Sequence, residues 1–264
     1  MIQKPTIIAI DFDGVICDGM IEYFQTAWRT YCKVWSPANS TPTDALAQQF
    51  YRTRPVIETG WEMPVLVRAL TLGIPVDDIL QNWVDICQKR VQEENLKAET
   101  IGPLLDSIRD EWIQTDFDGW LKLHRFYPGV ISQFKQWLNP STQPLIQPII
   151  ITTKEERFVR ALLQQQNITM PDGTIYGKGC KRPKYETIRQ LLSTPTSPPT
   201  IWFIEDRLKA LLAVEKQPDL TDIRLFLADW GYNTKTEKQY TENHPRIKLL
   251  TLPQFTQDFS TWLI

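Results

Sequence analysis

The 264 residues are enough for one large domain, or for a core domain carrying a smaller insertion. Hydrophobic and charged fractions of 42% and 23% are ordinary for a soluble globular chain. A net charge of −2, from 29 basic and 31 acidic residues, supplies no bulk field toward nucleic acid or an anionic membrane, so neither is expected as a partner.

The opening stretch is a short apolar run ending in two acids, which reads as neither a signal peptide nor a membrane span. Cys17, Cys32, Cys87 and Cys180 have no C-x-x-C spacing and form no dense framework; buried or partly buried free thiols in a reducing compartment are expected. A cytoplasmic location follows as the expectation, with the chain a monomer or weak homodimer.

Residues 6–10 (TIIAI) form a continuous apolar run without alternation, as in a strand buried on both faces of a parallel sheet. The pattern then changes. MIEYFQTAWRTYCKVW, PVLVRALTLG, DDILQNWVDICQKRVQEEN and TIGPLLDSIRDEWI all show helical apolar spacing, so residues 18–125 are expected to form an all-helical insertion. Three more buried runs follow at 148–151, 200–204 and 225–228, with helices expected over 155–166, 184–192 and 207–215. This alternation predicts an α/β fold, a doubly wound, Rossmann-like parallel sheet built from residues 1–17 and 126–264. Residues 36–44 (SPANSTPTD) and 194–199 (TPTSPP) read as loops. The stretch LADWGYNT, 227–234, is expected to line the core rim, with Trp230 and Tyr232 in packing roles.

Asp11 and Asp13 stand two residues apart where the first run ends, and the carboxyl ends of strands are where open α/β sheets bind ligands. One carboxylate of such a pair can attack while the other shuttles a proton; a hard cation, Mg²⁺ by preference when phosphate is present, would relieve the crowded charge. Gly14 permits a tight turn and the approach of backbone N–H groups to an anion. Two acids capping a strand-to-helix turn would give the same local pattern.

The stretch IIAIDFDGVICD, residues 7–18, resembles the first motif of the haloacid dehalogenase-like superfamily, D-x-D-G-[TV] after a strand. The resemblance implies Asp11 as the nucleophile that forms a phospho-aspartate and Asp13 as general acid/base. True dehalogenases lack the second acid, so this chain resembles the phosphotransfer branch.

Later motifs appear in order. Thr152 in IIITTK matches the second; its hydroxyl and the Thr153 N–H can hold a phosphoryl oxygen, or either residue can cap a helix. Lys184 after Pro183 matches the third, with Lys178, Lys181 and Arg182 reading as a solvated basic loop. Asp206 in IWFIED matches the fourth as a magnesium ligand. Glu205 stands where Gly or Asp is usual, and the downstream acid of the longer pattern would fall at Ala210, so Glu205 or water is left to complete the shell of Asp11, Asp13 and Asp206.

In this superfamily an insertion at 18–125 forms a cap. There, Arg54 and Glu58 are candidate substrate contacts, though salt-bridged surface charges around a helix turn are the more ordinary reading. His124 and His244 stand away from every motif, against a histidine-based mechanism. The resemblance thus implies a Mg²⁺-dependent phosphatase acting on a small phosphorylated metabolite. The alternatives are a phosphomutase of the same superfamily or a catalytically decayed binding protein.

Overall fold

The computed structural model describes residues 4–139, 141, 146–193 and 199–263, so the expected loop at 194–198 lies outside the described residues. The chain divides into two compact units, Met1–Asp18 with Arg125–Ile264, and Gly19–His124.

The first unit is a six-stranded parallel sheet. Its strands are β1 (Ile7–Ile10), β4 (Gln147–Ile151), β5 (Ile175–Tyr176), β6 (Ile201–Glu205), β7 (Arg224–Ala228) and β8 (Ile247–Leu250), in the order β5-β4-β1-β6-β7-β8. A short antiparallel pair, β2 (Cys17–Asp18) with β3 (Arg125–Phe126), stands where the chain leaves this unit and returns to it. The expected doubly wound α/β architecture is therefore what forms.

Physical cause is visible at β1. Ile7 and Ala9 pack on one face with Ile149, Phe203, Leu225 and the helix residues Ile188 and Leu211. On the sheet's other face Trp202 meets Phe226, Phe259 and Trp262, with ring centroids 5.2, 5.3 and 5.6 Å apart. Both faces are covered, which is why the central strands are apolar throughout rather than alternating. The expected helices appear as Glu156–Gln165, Lys184–Leu192 and Leu208–Glu215.

Register fixes the site. Ile10 pairs with Ile150 of β4 and with Ile204 of β6, so Asp11 comes level with Ile151 and Glu205. Three loop-bearing strand ends thus meet beside β1, where the strand order reverses, the usual ligand position in such sheets.

The second unit is helical, with helices Met20–Trp35, Asp44–Thr53, Glu62–Thr71, Val76–Glu93, Ala98–Thr115 and Phe117–Leu121. It has its own core, including Phe24, Trp28, Phe50, Leu66 and Trp83. The helix Asp44–Thr53 was hidden by the proline-rich stretch before it; Thr43 caps it, its hydroxyl accepting from Leu46 N at 3.2 Å. Among the described residues, no helix is long and apolar enough to cross a membrane.

Candidate active site

Asp11 leaves β1 7% exposed, and Glu205 and Asp206 leave β6 only 1% exposed. Carboxylate oxygens of these three residues lie within 4.8 Å of one another. Lys184, the first residue of its helix, stands between two of them: its Nζ is 2.7 Å from Asp11 Oδ1 and 2.6 Å from Glu205 Oε2. The basic residue matched to the third motif is thus brought to the nucleophile candidate.

The two acids of β6 differ sharply. Glu205 is fully engaged, Oε1 accepting from the backbone N–H groups of Asp206 (3.2 Å) and Arg207 (3.1 Å) while Oε2 takes Lys184. Asp206 Oδ2 accepts from Tyr232 N at 2.8 Å, and its Oδ1 is buried without a hydrogen-bond partner among the described residues. That unpartnered oxygen in an acidic, oxygen-rich set fits a hard divalent cation such as Mg²⁺.

Electrostatics agree with the geometry. Burial, then Glu205, pushes the Asp11 carboxyl up to about 7 against the downward pull of Lys184. Burial, Glu205 and Asp11 likewise raise Asp206 well above the usual carboxylate range. Burial opposes the Lys184 charge, yet Asp11 and Glu205 outweigh it and hold the ammonium above its ordinary range. Three buried carboxylates stand together with one ammonium paired to two of them, an arrangement short of positive charge.

Asp13 does not join this set. Its carboxylate faces Lys154, whose Nζ donates to Oδ1 at 3.1 Å and Oδ2 at 3.3 Å. The Lys154 ammonium pairs with Asp13, and the carboxylates found within 4.8 Å of one another are those of Asp11, Glu205 and Asp206.

Gly14 makes the tight turn expected of it, its N–H donating to Cys17 O at 2.8 Å. A glycine is required because φ is +86° and because a Cβ there would lie 2.1 Å from Asp206 Oδ2. Gly231 is the counterpart on the opposite side, where a Cβ would lie 2.2 Å from Asp206 Cβ.

Thr152 follows β4. Its N–H donates to Tyr176 O at 2.9 Å, and its hydroxyl oxygen accepts from Lys154 N at 3.1 Å, which leaves the hydroxyl proton to donate. Thr153 is exposed at the bend that follows.

Arg54 and Glu58 belong to the helical unit. Arg54 donates to Ile57 O at 3.3 Å and stacks over Tyr23, 5.0 Å from the ring centre. The Glu58 N–H donates to Glu62 Oε2 at 3.5 Å. Glu62 pins this turn by also accepting from Thr59 N (2.9 Å), Thr59 Oγ1 (2.6 Å) and Trp83 Nε1 (2.8 Å).

Two supports escaped the sequence reading. Lys154 is one. The other is the 228–233 segment, read as packing. Besides the Tyr232 N–H on Asp206, Asn233 Nδ2 donates to Asp206 O (3.1 Å), Trp230 Nε1 to Val15 O (3.0 Å) and Tyr232 Oη to Asp18 Oδ1 (3.0 Å). The run W-G-Y-N directly after a buried strand is the signal that marked it.

No protein-family model and no curated protein matches the chain. Solved structures do. A haloacid dehalogenase-like family hydrolase from Streptococcus pneumoniae superposes with a TM-score of 0.56 at 16% identity, covering 93% of each chain. A predicted phosphatase from Clostridium acetobutylicum gives a TM-score of 0.54 at 12% identity, covering 96% of this chain and 97% of its own. A haloacid dehalogenase-like protein of unknown function from Agrobacterium tumefaciens gives 0.52 at 13% identity, covering 96% and 95%. At these identities it is the fold that is held in common, over nearly the whole length, and the chain has the fold of the haloacid dehalogenase-like hydrolases.

Proposed function

We propose that the chain is a Mg²⁺-dependent phosphatase that hydrolyses a small phosphomonoester through a phospho-aspartate on Asp11. The observation that carries this reading is Lys184 ion-paired to both Asp11 and Glu205, beside an Asp206 whose Oδ1 has no partner among the described residues. Asp11 and Asp206 are the residues that would hold Mg²⁺, with Glu205 close by and anchoring Lys184. Bound there, Mg²⁺ offsets the negative charge of the phosphoryl oxygens and of the carboxylates.

A carboxylate oxygen of Asp11 bonds to phosphorus as the bond from phosphorus to the leaving oxygen breaks. Asp13 delivers a proton to that leaving oxygen. In the second half Asp13 takes a proton from water, whose oxygen bonds to phosphorus, frees Asp11 and releases inorganic phosphate. The Thr152 hydroxyl donates to a phosphoryl oxygen, and the Lys184 ammonium stabilises charge on the phosphoryl group and Asp11. The helical unit serves as the cap that excludes water, with Arg54 and Glu58 as substrate contacts.

Phosphate release from 4-nitrophenyl phosphate and from a panel of phosphorylated metabolites, with and without Mg²⁺, tests this. Mg²⁺-dependent release is expected from at least one. Isomerisation of a phosphosugar without release would make the protein a mutase, and no turnover of any kind would leave a binding protein.

A further inference from the structure

The geometry points to Lys154 as the positioning residue for Asp13, setting the place from which that carboxylate exchanges protons with the leaving oxygen and then with water. This rests on the phosphatase reading given above and assigns a residue to it that the four motifs do not contain.

The contact is enclosed: the Lys154 side chain is 8% exposed and that of Asp13 14%. Both carboxylate oxygens are within hydrogen-bond reach of the ammonium, at 3.1 and 3.3 Å, so rotation about the Asp13 side chain is restrained in two places rather than one.

The lysine is itself aimed from behind. Its N–H donates to Thr152 Oγ1 at 3.1 Å, and its carbonyl accepts from Lys178 N at 3.0 Å. Gly177 closes against the same turn, where a Cβ would lie 2.7 Å from Lys154 O and 2.8 Å from Glu156 N. One turn after β4 therefore carries the phosphoryl donor Thr152 and the anchor of Asp13 together. Among the described contacts it is this ammonium that holds the Asp13 carboxylate in place. A misplacement of about 1 Å costs on the order of 10²-fold in rate, and proton transfer by a positioned group is worth roughly 10²–10⁴-fold.

The leaving group supplies the readout, because 4-nitrophenolate departs with little help and an unactivated phenolate or alkoxide requires a proton. In the full-length chain with Mg²⁺, Lys154→Met should lower kcat on phenyl phosphate roughly 10–100-fold, the scale expected of a displaced acid. On 4-nitrophenyl phosphate the loss should stay within about fivefold, with KM changed little on either substrate and Lys154→Arg recovering most of the phenyl phosphate rate. Equal losses on both substrates with a raised KM would overturn the inference and make Lys154 a phosphoryl-binding residue. A crystal structure of Lys154→Met tests the same point without turnover. A displaced Asp13 carboxylate supports the inference, and an unmoved one overturns it. Should the wild type hydrolyse nothing, the phosphatase reading fails by itself while the crystal structure still decides what Lys154 does.

Discussion

Buried acids in the two units differ in the positive charge set against them. In the helical unit Glu22 is fully buried, yet it takes Arg109 Nε at 2.7 Å and Thr26 Oγ1 at 2.7 Å, and Glu62 takes donors from Thr59 and Trp83. At the sheet end, Asp11 and Glu205 divide the Lys184 ammonium between them, with a carboxylate oxygen of Asp206 within 4.8 Å of theirs. A buried carboxylate with matched donors holds a fold together. Carboxylates left short of positive charge are held there by the fold at some cost, which makes them candidates for chemistry.

Replacing one acid from each group sharpens this contrast most. Asp11→Asn should reduce Mg²⁺-dependent phosphate release by at least about 10³-fold, since the nucleophile is lost. It should also leave the metal-free protein as stable as wild type or more so, because a desolvated charge is removed. Full activity in this variant would show the nucleophile to be elsewhere. Glu22→Ala should do the reverse. It removes the 2.7 Å partner of Arg109, leaving Asp106 at 3.6 Å, and should cost about 3–5 kcal/mol in urea unfolding; a loss under about 1 kcal/mol would erase the distinction drawn between the two units.

Acidity offers the next test. Asp11 is raised from 3.8 to about 7, so between those values the folded metal-free chain keeps a proton that the unfolded chain has released. The stability contributed by Asp11 should therefore be fully present at low pH and fall as pH rises from about 4 to about 7, by roughly 1–4 kcal/mol. Asp206, raised by burial and by Glu205 and Asp11, acts in the same direction. Urea melts in EDTA near pH 5 and pH 7.5 measure the loss, and excess Mg²⁺ should recover most of it at the higher pH. A Mg²⁺ effect equal at both pH values would mean that these carboxylates are not its ligands.

The smallest expected effects lie with the helical unit's surface. Arg54→Ala and Glu58→Ala should raise KM for the best substrate of a metabolite panel about 3–30-fold with kcat changed less, as for contacts made equally in ground and transition states. Unchanged KM in both would remove them from substrate binding.

How much of this was legible depended on what each residue contributes. Asp11, Thr152 and Asp206 present side chains at the ends of buried runs and Lys184 at the start of an amphipathic helix, and both the runs and the residue types stand out in the sequence. β5 and β8 did not stand out, because a two-residue strand and a run as short as Ile247–Leu250 lack a readable period. Tyr232 supports Asp206 through its backbone N–H, which no residue type advertises. Gly14 was visible as a glycine, but its reason, the closeness of Asp206, lies 192 positions away in the chain. Lys154 was hidden by its partner. Nothing local ties a lysine after β4 to an acid after β1 until the two strands pair side by side.

Acid-quenched wild-type protein, mixed with acetyl phosphate and Mg²⁺ and digested for mass spectrometry, tests the aspartyl nucleophile most directly. The expected result is one phosphoryl group on the peptide containing Asp11, absent without Mg²⁺ and absent in Asp11→Asn. A phosphoryl group on any other residue, or turnover with no covalent adduct on Asp11, would contradict it.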